Sequence, residues 1–157
     1  MEIVTVRMAD MAVVRGDTAL KTVLGSCVAV ILRDAERLVS GLAHIMLPRM
    51  PKQDSAAAKY ADTAIPGLVE LMVREGGRRG SLQALLVGGA RMFPWGHASI
   101  AAIGDLNGDA ARSLLRGYGI PILFEDLGGT AGRVVVFEGG SGRVSVKSLA
   151  ALKGAAS

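Results

Sequence analysis

The chain contains 157 residues, carries a formal net charge of +4, and is half hydrophobic with only 4% aromatic residues. This length fits one domain that buries about two thirds of its unfolded surface, and the scarcity of aromatic rings argues against a base-stacking platform for nucleic acid. The single cysteine, Cys27, excludes an internal disulfide and a zinc site made of several cysteines, as is usual for a reducing cytoplasm.

Charged residues interrupt the beginning of the chain at Glu2, Arg7, Asp10 and Arg15, so no signal peptide is predicted. No window of about 18 uncharged apolar residues with helical character occurs either, which argues against a membrane-spanning helix. We therefore expect a soluble cytoplasmic protein with one domain over residues 1–157.

Short runs of β-branched and aliphatic residues dominate the first third of the chain. They predict strands at 2–7, 11–15 and 19–24, followed by a hairpin within 28–47. The polar residues 49–59 show no periodicity and predict a surface loop that flanks this hairpin.

Two later segments have apolar residues at helical spacing. One helix is predicted over 62–75, and a second over 105–116, where Leu106, Ala110 and Leu114 mark the apolar face. Asn107, on the second helix, is interpreted as structural.

The remaining apolar runs are short and predict strands. Residues 82–87 predict a strand buried on both faces, and the glycines after it are expected near the mouth of a pocket. Further strands are predicted at 120–125, 133–138 and 143–148, and a frayed tail at 150–157. Two helices and about eight strands predict an α+β sandwich, with helices packed outside mixed β-sheets.

The stretch from Thr22 to Pro48 contains the two side chains best suited to catalysis, Cys27 and His44. A regular hairpin centred on Ala35 and Glu36 pairs residues whose numbers sum to 71, which places Cys27 directly opposite His44. Opposed side chains leave the same face with Cβ atoms about 4.5–5.5 Å apart, whereas a bulge or a one-residue slip would separate the faces.

A thiol beside an imidazole forms a nucleophile and its base, because only the thiolate attacks carbonyl carbon well. Gly25 and Ser26 before the cysteine allow a tight turn whose N–H groups could stabilise an oxyanion. Cys27 as a small buried hydrophobe with His44 as a structural residue remains an alternative. A metal site from Cys27, His44 and a carboxylate is a further alternative, although no paired-ligand spacing supports it.

Two other polar features have simpler interpretations. The basic group Arg74, Arg78 and Arg79 is interpreted as a solvated helix end, with no nucleic-acid contact, because no recognition motif accompanies it. The second histidine, His97, follows the irregular residues 92–95 in a polar setting and is predicted to be exposed.

Five motifs resemble, in order and spacing, those of the CheD family of chemoreceptor glutamine deamidases. They are LGSCVAV at 24–30, AHIMLP at 43–48, KYADTA at 59–64, VGGA at 87–90, and the glycines of 128–133. The resemblance implies a fold similar to the deamidase domain of cytotoxic necrotizing factor, with helices outside two sheets.

The same resemblance implies a cysteine-dependent protein-glutamine glutaminase that converts glutamine to glutamate on the cytoplasmic helices of methyl-accepting chemotaxis receptors. Cys27 is then the nucleophile that forms a thioester, and His44 the general base and acid. No cofactor and no metal are implied. A CheC-like phosphatase is a further partner known for the family.

One position departs from the family pattern. The family commonly has a threonine six residues before the cysteine, where it orients the histidine, and here that residue is Lys21. Thr22 is therefore a candidate for the orienting role, although alternation along a regular strand predicts that it faces away from the position it would replace; a backbone carbonyl is the other candidate. Lys21 also keeps open a non-catalytic adaptor that binds chemoreceptors or a CheC-like phosphatase.

Overall fold

The computed structural model describes residues 1–51, 56–92 and 102–149, and within them the chain forms two β-sheets and two α-helices. The four-stranded sheet has the order β1 (Ile3–Thr5), β3 (Ala19–Leu24), β8 (Arg133–Glu138) and β9 (Val144–Ser148). The five-stranded sheet has the order β2 (Met11–Arg15), β5 (Val39–Ile45), β4 (Val28–Asp34), β6 (Gln83–Gly88) and β7 (Ile122–Leu127). The helices are α1 (Ala61–Arg74) and α2 (Ile103–Gly117).

Both sheets are mixed. β1 pairs with β3, and β6 with β7, in parallel, while the other neighbouring strands are antiparallel. Short 3₁₀ turns occur at Ala57–Lys59 and Arg79–Ser81. The predicted α+β architecture with mixed sheets is confirmed, including the hairpin formed by β8 and β9.

The five-stranded sheet is the middle layer of three. One core lies between this sheet and the two helices, and a second lies between the two sheets. In β4, Val28 and Val30 face the helices while Ala29 and Ile31 face the other sheet. Burial on both faces explains why this strand is a continuous aliphatic run.

The β4–β5 hairpin has a different register from the predicted one. Ala29 pairs with His44 and Asp34 with Val39, so paired numbers sum to 73 rather than 71. The prediction that Cys27 lies directly opposite His44 is therefore wrong. The turn occupies the four residues 35–38, and Leu38 adopts a left-handed conformation with φ 52°.

The second helix is confirmed, and the centre of its buried face consists of small residues. Its buried residues are Gly104, Asn107, Gly108, Ala111 and Leu115, whereas Leu106 is half exposed. Of the three apolar residues that predicted the helix, Ala110 and Leu114 pack against the edge of the core, while Leu106 does not. Small residues allow the helix backbone to approach the sheet closely, and a polar side chain is tolerated among them because it is hydrogen-bonded.

Several predictions fall outside the described residues, namely an exposed His97 and a frayed tail at 150–157. The irregular stretch at 92–95 is described only at Met92.

Neither of the two helices in the described part of the chain is long and apolar enough to cross a bilayer.

Candidate active site

The loop that carries Cys27 connects β3 to β4, and its backbone is held by three consecutive carbonyl groups. Gly25 accepts a hydrogen bond from the backbone N–H of Ala90 at 3.0 Å, and Cys27 accepts one from Gly89 at 2.8 Å. Between them, the carbonyl of Ser26 accepts one from the side-chain amide of Asn107 at 3.1 Å. The loop is therefore anchored to the glycine-rich segment after β6 and to helix α2.

The close approach of these segments requires glycine at position 88. Gly88 has φ 118°, in a region that L side chains rarely adopt, and a Cβ there would overlap the carbonyl oxygen of Cys27. The glycine pair, expected near the mouth of a pocket, thus packs directly against the backbone of the cysteine loop.

His44 reaches the space between the sheets from β5, next to Thr22 on β3. The hydroxyl oxygen of Thr22 lies 2.8 Å from Nδ1 of His44 and 2.6 Å from the carbonyl oxygen of Val6. Thr22 is buried between two other inward-facing residues of β3, Leu20 and Leu24. The expectation that Thr22 faces away from the histidine is therefore wrong, and Lys21 is the residue that faces the opposite side.

These two contacts determine the tautomer of His44. A carbonyl oxygen can only accept, so the hydroxyl hydrogen of Thr22 goes to Val6. The Thr22 oxygen then accepts the Nδ1–H of His44. Nε2 consequently carries a free lone pair, which is the atom that a general base uses.

Cys27 and His44 lie on the same side of the five-stranded sheet. The true register is shifted from the predicted one by two residues, so it preserves the face on which each side chain lies. Cys27 and Ala29 both pack into the core between the sheets, and Ala29 is the residue paired with His44. The thiol and the imidazole are thus diagonal neighbours instead of a directly opposed pair.

Both groups are largely removed from water, and this shifts their pKa values in opposite directions. Burial raises the pKa of the Cys27 thiol above its ordinary value, only partly offset by a hydrogen bond from its own backbone N–H. Burial also lowers the pKa of His44, against a smaller opposing effect of the Val6 backbone. A neutral thiol and a neutral imidazole are therefore the resting forms at neutral pH.

Nε2 of His44 is buried and has no hydrogen-bond partner among the described residues, Cys27 included. Cys27 itself is 9% exposed, so the thiol lies at the edge of the core while the histidine, at 2%, lies deeper. The ring of His44 is held by Thr22. Catalytic hydrogen bonds often form only when substrate is bound.

Sequence reasoning missed the contacts of Asn107. Its Nδ2 atom donates to the carbonyls of Ser26 at 3.1 Å and Met46 at 2.9 Å, and the residue is fully buried. A signal was available, since a polar residue stands among the small residues Gly104, Gly108 and Ala111 at helical spacing.

A cleft of about 350 Å³ is formed by residues 126–131 and Arg133 with Val146 and Ser148, and neither Cys27 nor His44 lines it. Backbone hydrogen bonds connect its wall to the glycine segment, from Gly128 N–H to Gly88 and from Arg91 N–H to Gly129. Among the described residues, no three His, Cys, Asp or Glu side chains come together as metal ligands.

Residues 46–148 match the family model CheD, described as chemotactic sensory transduction. A Methanococcus vannielii protein named probable chemoreceptor glutamine deamidase CheD is 42% identical over 146 residues, which is 92% of this chain and 94% of that protein. The chain belongs to the CheD family.

A second CheD-family relative, from Halalkalibacterium halodurans, is named chemoreceptor glutamine deamidase CheD and is 41% identical over 153 residues, or 94% of each chain. The family-model match begins after Cys27 and His44, but these pairwise matches span so much of the chain that they include both. Among solved structures, a Neisseria meningitidis protein of family model DUF152 matches with a TM-score of 0.48 and 12% identity, covering 83% of this chain and 65% of that one.

Proposed function

We propose that the protein is a cysteine-dependent glutamine deamidase that hydrolyses glutamine side-chain amides to glutamate on methyl-accepting chemotaxis receptors. The names of its CheD-family relatives support the reaction and the class of substrate. The observation that carries the mechanism is the Thr22–His44 contact at 2.8 Å. It leaves the Nε2 lone pair of His44 free, on the side of the sheet to which Cys27 belongs.

In the first step, Sγ of Cys27 attacks the side-chain carbonyl carbon of the glutamine while Nε2 of His44 takes the thiol proton. The carbonyl electron pair moves to oxygen, and the backbone N–H of Cys27 donates to the resulting oxyanion. The C–N bond then breaks, the imidazolium gives its proton to the leaving nitrogen, and ammonia departs from a thioester.

In the second step, a water molecule attacks the thioester. Nε2 of His44 takes a proton from the water, the C–S bond breaks, and the proton returns to sulfur. One water is consumed and one ammonia released for each glutamine that becomes glutamate. The shifted pKa values favour this route, since a neutral thiol needs a base at the moment of attack.

The cleft of residues 126–133 offers a place for the segment of receptor that carries the glutamine. Its wall is hydrogen-bonded to the glycine segment that also binds the backbone of Cys27. A cytoplasmic receptor helix docked along this cleft would contact the wall that is hydrogen-bonded to the segment supporting the cysteine loop.

The rival hypothesis of a non-catalytic adaptor depends on Lys21. Thr22, rather than residue 21, lies against His44, so the lysine leaves the hydroxyl contact in place. The substitution therefore gives no reason to expect an idle cysteine, and we favour the enzyme.

Mass spectrometry of receptor cytoplasmic fragments incubated with the protein tests the proposal. Wild type should add about one mass unit at specific glutamines, because an amide NH₂ is replaced by OH. Cys27→Ala and His44→Ala should abolish this gain, while Glu70→Ala, on the exposed face of α1, should preserve it. Identical spectra for wild type and Cys27→Ala would exclude catalysis by the thiol.

A further inference from the structure

Asn107 makes two hydrogen bonds that bridge the segments of the nucleophile and the base. Its Nδ2 donates to Ser26, the residue before Cys27, and to Met46, two residues after His44. The reverse amide orientation would put Oδ1 against two carbonyl oxygens, so the two acceptors dictate the assignment. Oδ1 has no partner among the described residues, and the amide is therefore held through its donated bonds.

The bridge stands where the β4–β5 ladder ends. Val28 and Ile45 form the last pair, and the next residues in that register are Cys27 and Met46. Instead of pairing with each other, the two strands diverge, and the Asn107 amide binds a carbonyl from each. Beyond the end of the ladder, the Asn107 side chain therefore links the segment of the thiol to the segment of the imidazole.

The bond to Ser26 also orients a peptide plane. The carbonyl of Ser26 and the N–H of Cys27 belong to one planar trans peptide and point in opposite directions. Holding the oxygen toward α2 directs the N–H away from the helix, to the side of the peptide plane opposite Asn107. A hydrogen bond accepted by the oxygen further polarises this N–H.

Helix α2, which carries this amide, packs tightly against the glycine segment. A Cβ added at Gly104 would lie 2.5 Å from the carbonyl oxygens of both Gly89 and Ala90, so the start of the helix packs directly on the glycine segment. That segment binds the carbonyls of Gly25 and Cys27. The helix and the cysteine loop are therefore fixed to the same piece of backbone.

We propose that Asn107 is a positioning residue, which aims the backbone N–H of Cys27 at the oxyanion and fixes the spacing of Cys27 and His44. This role rests on the proposed deamidase function for its catalytic consequence. The effect of Asn107 on the pKa of the Cys27 thiol does not depend on that proposed function, because the N–H of Cys27 stabilises a thiolate whatever the substrate is.

Asn107→Leu, which has the same branching but no donor, tests the proposal against Leu115→Ala, a buried change two turns along the same helix. The first readout is the pH dependence of Cys27 alkylation by iodoacetamide, which gives the thiol pKa. The second is kcat and KM for glutamine deamidation of a receptor fragment. Thermal unfolding of both variants shows whether their stabilities are comparable.

We expect Asn107→Leu to raise the thiol pKa by about half a pH unit or more and to lower kcat by about tenfold to hundredfold, with KM little changed. Leu115→Ala should change neither pKa nor kcat at comparable stability. If Asn107→Leu does not fold, Asn107→Asp, of equal size but with a carboxylate facing two carbonyls, should give the same two changes.

A folded Asn107 variant whose alkylation profile and kcat equal those of Leu115→Ala would overturn the positioning role. A wild type that deamidates no glutamine would instead overturn the proposed function, and the alkylation profiles would still decide the role of Asn107.

Discussion

The hydroxyl oxygen of Thr22 lies 2.8 Å from Nδ1 of His44, and both residues are buried between the two sheets. Because the Thr22 hydrogen is donated to Val6, the imidazole can only donate at Nδ1. One hydroxyl thus selects the tautomer and holds the ring plane of His44.

Replacing Thr22 tests this arrangement. Thr22→Val retains the shape but not the hydroxyl, and we expect kcat to fall about tenfold to hundredfold because the imidazole loses its orienting partner. Stability should fall by about 1–2 kcal/mol from the unpaired Nδ1–H and Val6 carbonyl. Thr22→Ser is the matched control and should retain most activity. Equal activity of the two variants would contradict the assignment.

The burial of Thr22 could be predicted from the sequence. Alternation places Leu20, Thr22 and Leu24 on one face of β3, and two leucines flanking a threonine indicate which face is buried. The resemblance to the family places the residue that orients the histidine at position 21, whereas the alternation of buried residues along β3 favours position 22. The hairpin register was harder to predict, because Leu38 resembles the first residue of a strand but is the last residue of the turn.

The register error did not change the face on which the side chains of Cys27 and His44 lie, because a shift of two residues preserves alternation.

The buried face of the helix that carries Asn107 was harder to predict than the helix itself. Leu106 is the larger apolar residue, yet the face built from Gly104, Gly108 and Ala111 is buried, since it allows closer packing. Periodicity located the helix, whereas the burial of its small residues depends on close packing against the glycine segment.

The lowered pKa of His44 predicts a pH dependence of stability. Its folded pKa lies below its ordinary value of 6.5, with burial as the main cause. Between those two pKa values the unfolded chain binds more protons, so this contribution to stability is present above the unfolded pKa and is lost as pH falls. Urea midpoints compared at about pH 5 and 7 should therefore rise with pH. His44→Gln should show a shallower rise, and parallel slopes would refute the assignment.

Gly88 is predicted to tolerate no side chain. Gly88→Ala would place Cβ on the carbonyl oxygen of Cys27 at φ 118°, and we expect a loss of about 3 kcal/mol or more together with loss of activity. Gly117→Ala, at the end of α2 with no atom near the added Cβ, should be neutral or stabilising by about 0.5 kcal/mol. Chemical denaturation measures both. Similar stabilities would show that the cysteine loop can move aside.

Asp34 is expected to affect stability without affecting catalysis. This fully buried carboxylate accepts hydrogen bonds from the backbone N–H of Arg78 at 2.9 Å and of Arg37 at 3.1 Å. Burial acts to raise the pKa of Asp34, but these bonds and the Arg37 guanidinium outweigh it and lower the pKa.

Asp34→Asn should therefore cost about 1–3 kcal/mol, and kcat should be unchanged, since Asp34 lies at the turn end of the hairpin, away from Cys27. Glu36→Gln, in the same turn with an 80% exposed side chain, is the control and should change stability by less than about 0.5 kcal/mol. Denaturation and deamidation assays on the three proteins measure both effects. A lower kcat for folded Asp34→Asn would mean that the turn communicates with the site.

The Val6 carbonyl that receives the Thr22 hydrogen follows directly after β1, a three-residue strand at the outer margin of the smaller sheet. The tautomer of His44 thus depends on a carbonyl at the end of the least extensively paired strand of that sheet. Fraying of the first seven residues would release the threonine hydroxyl to rotate, and the imidazole would lose its fixed tautomer while the cysteine loop stayed intact.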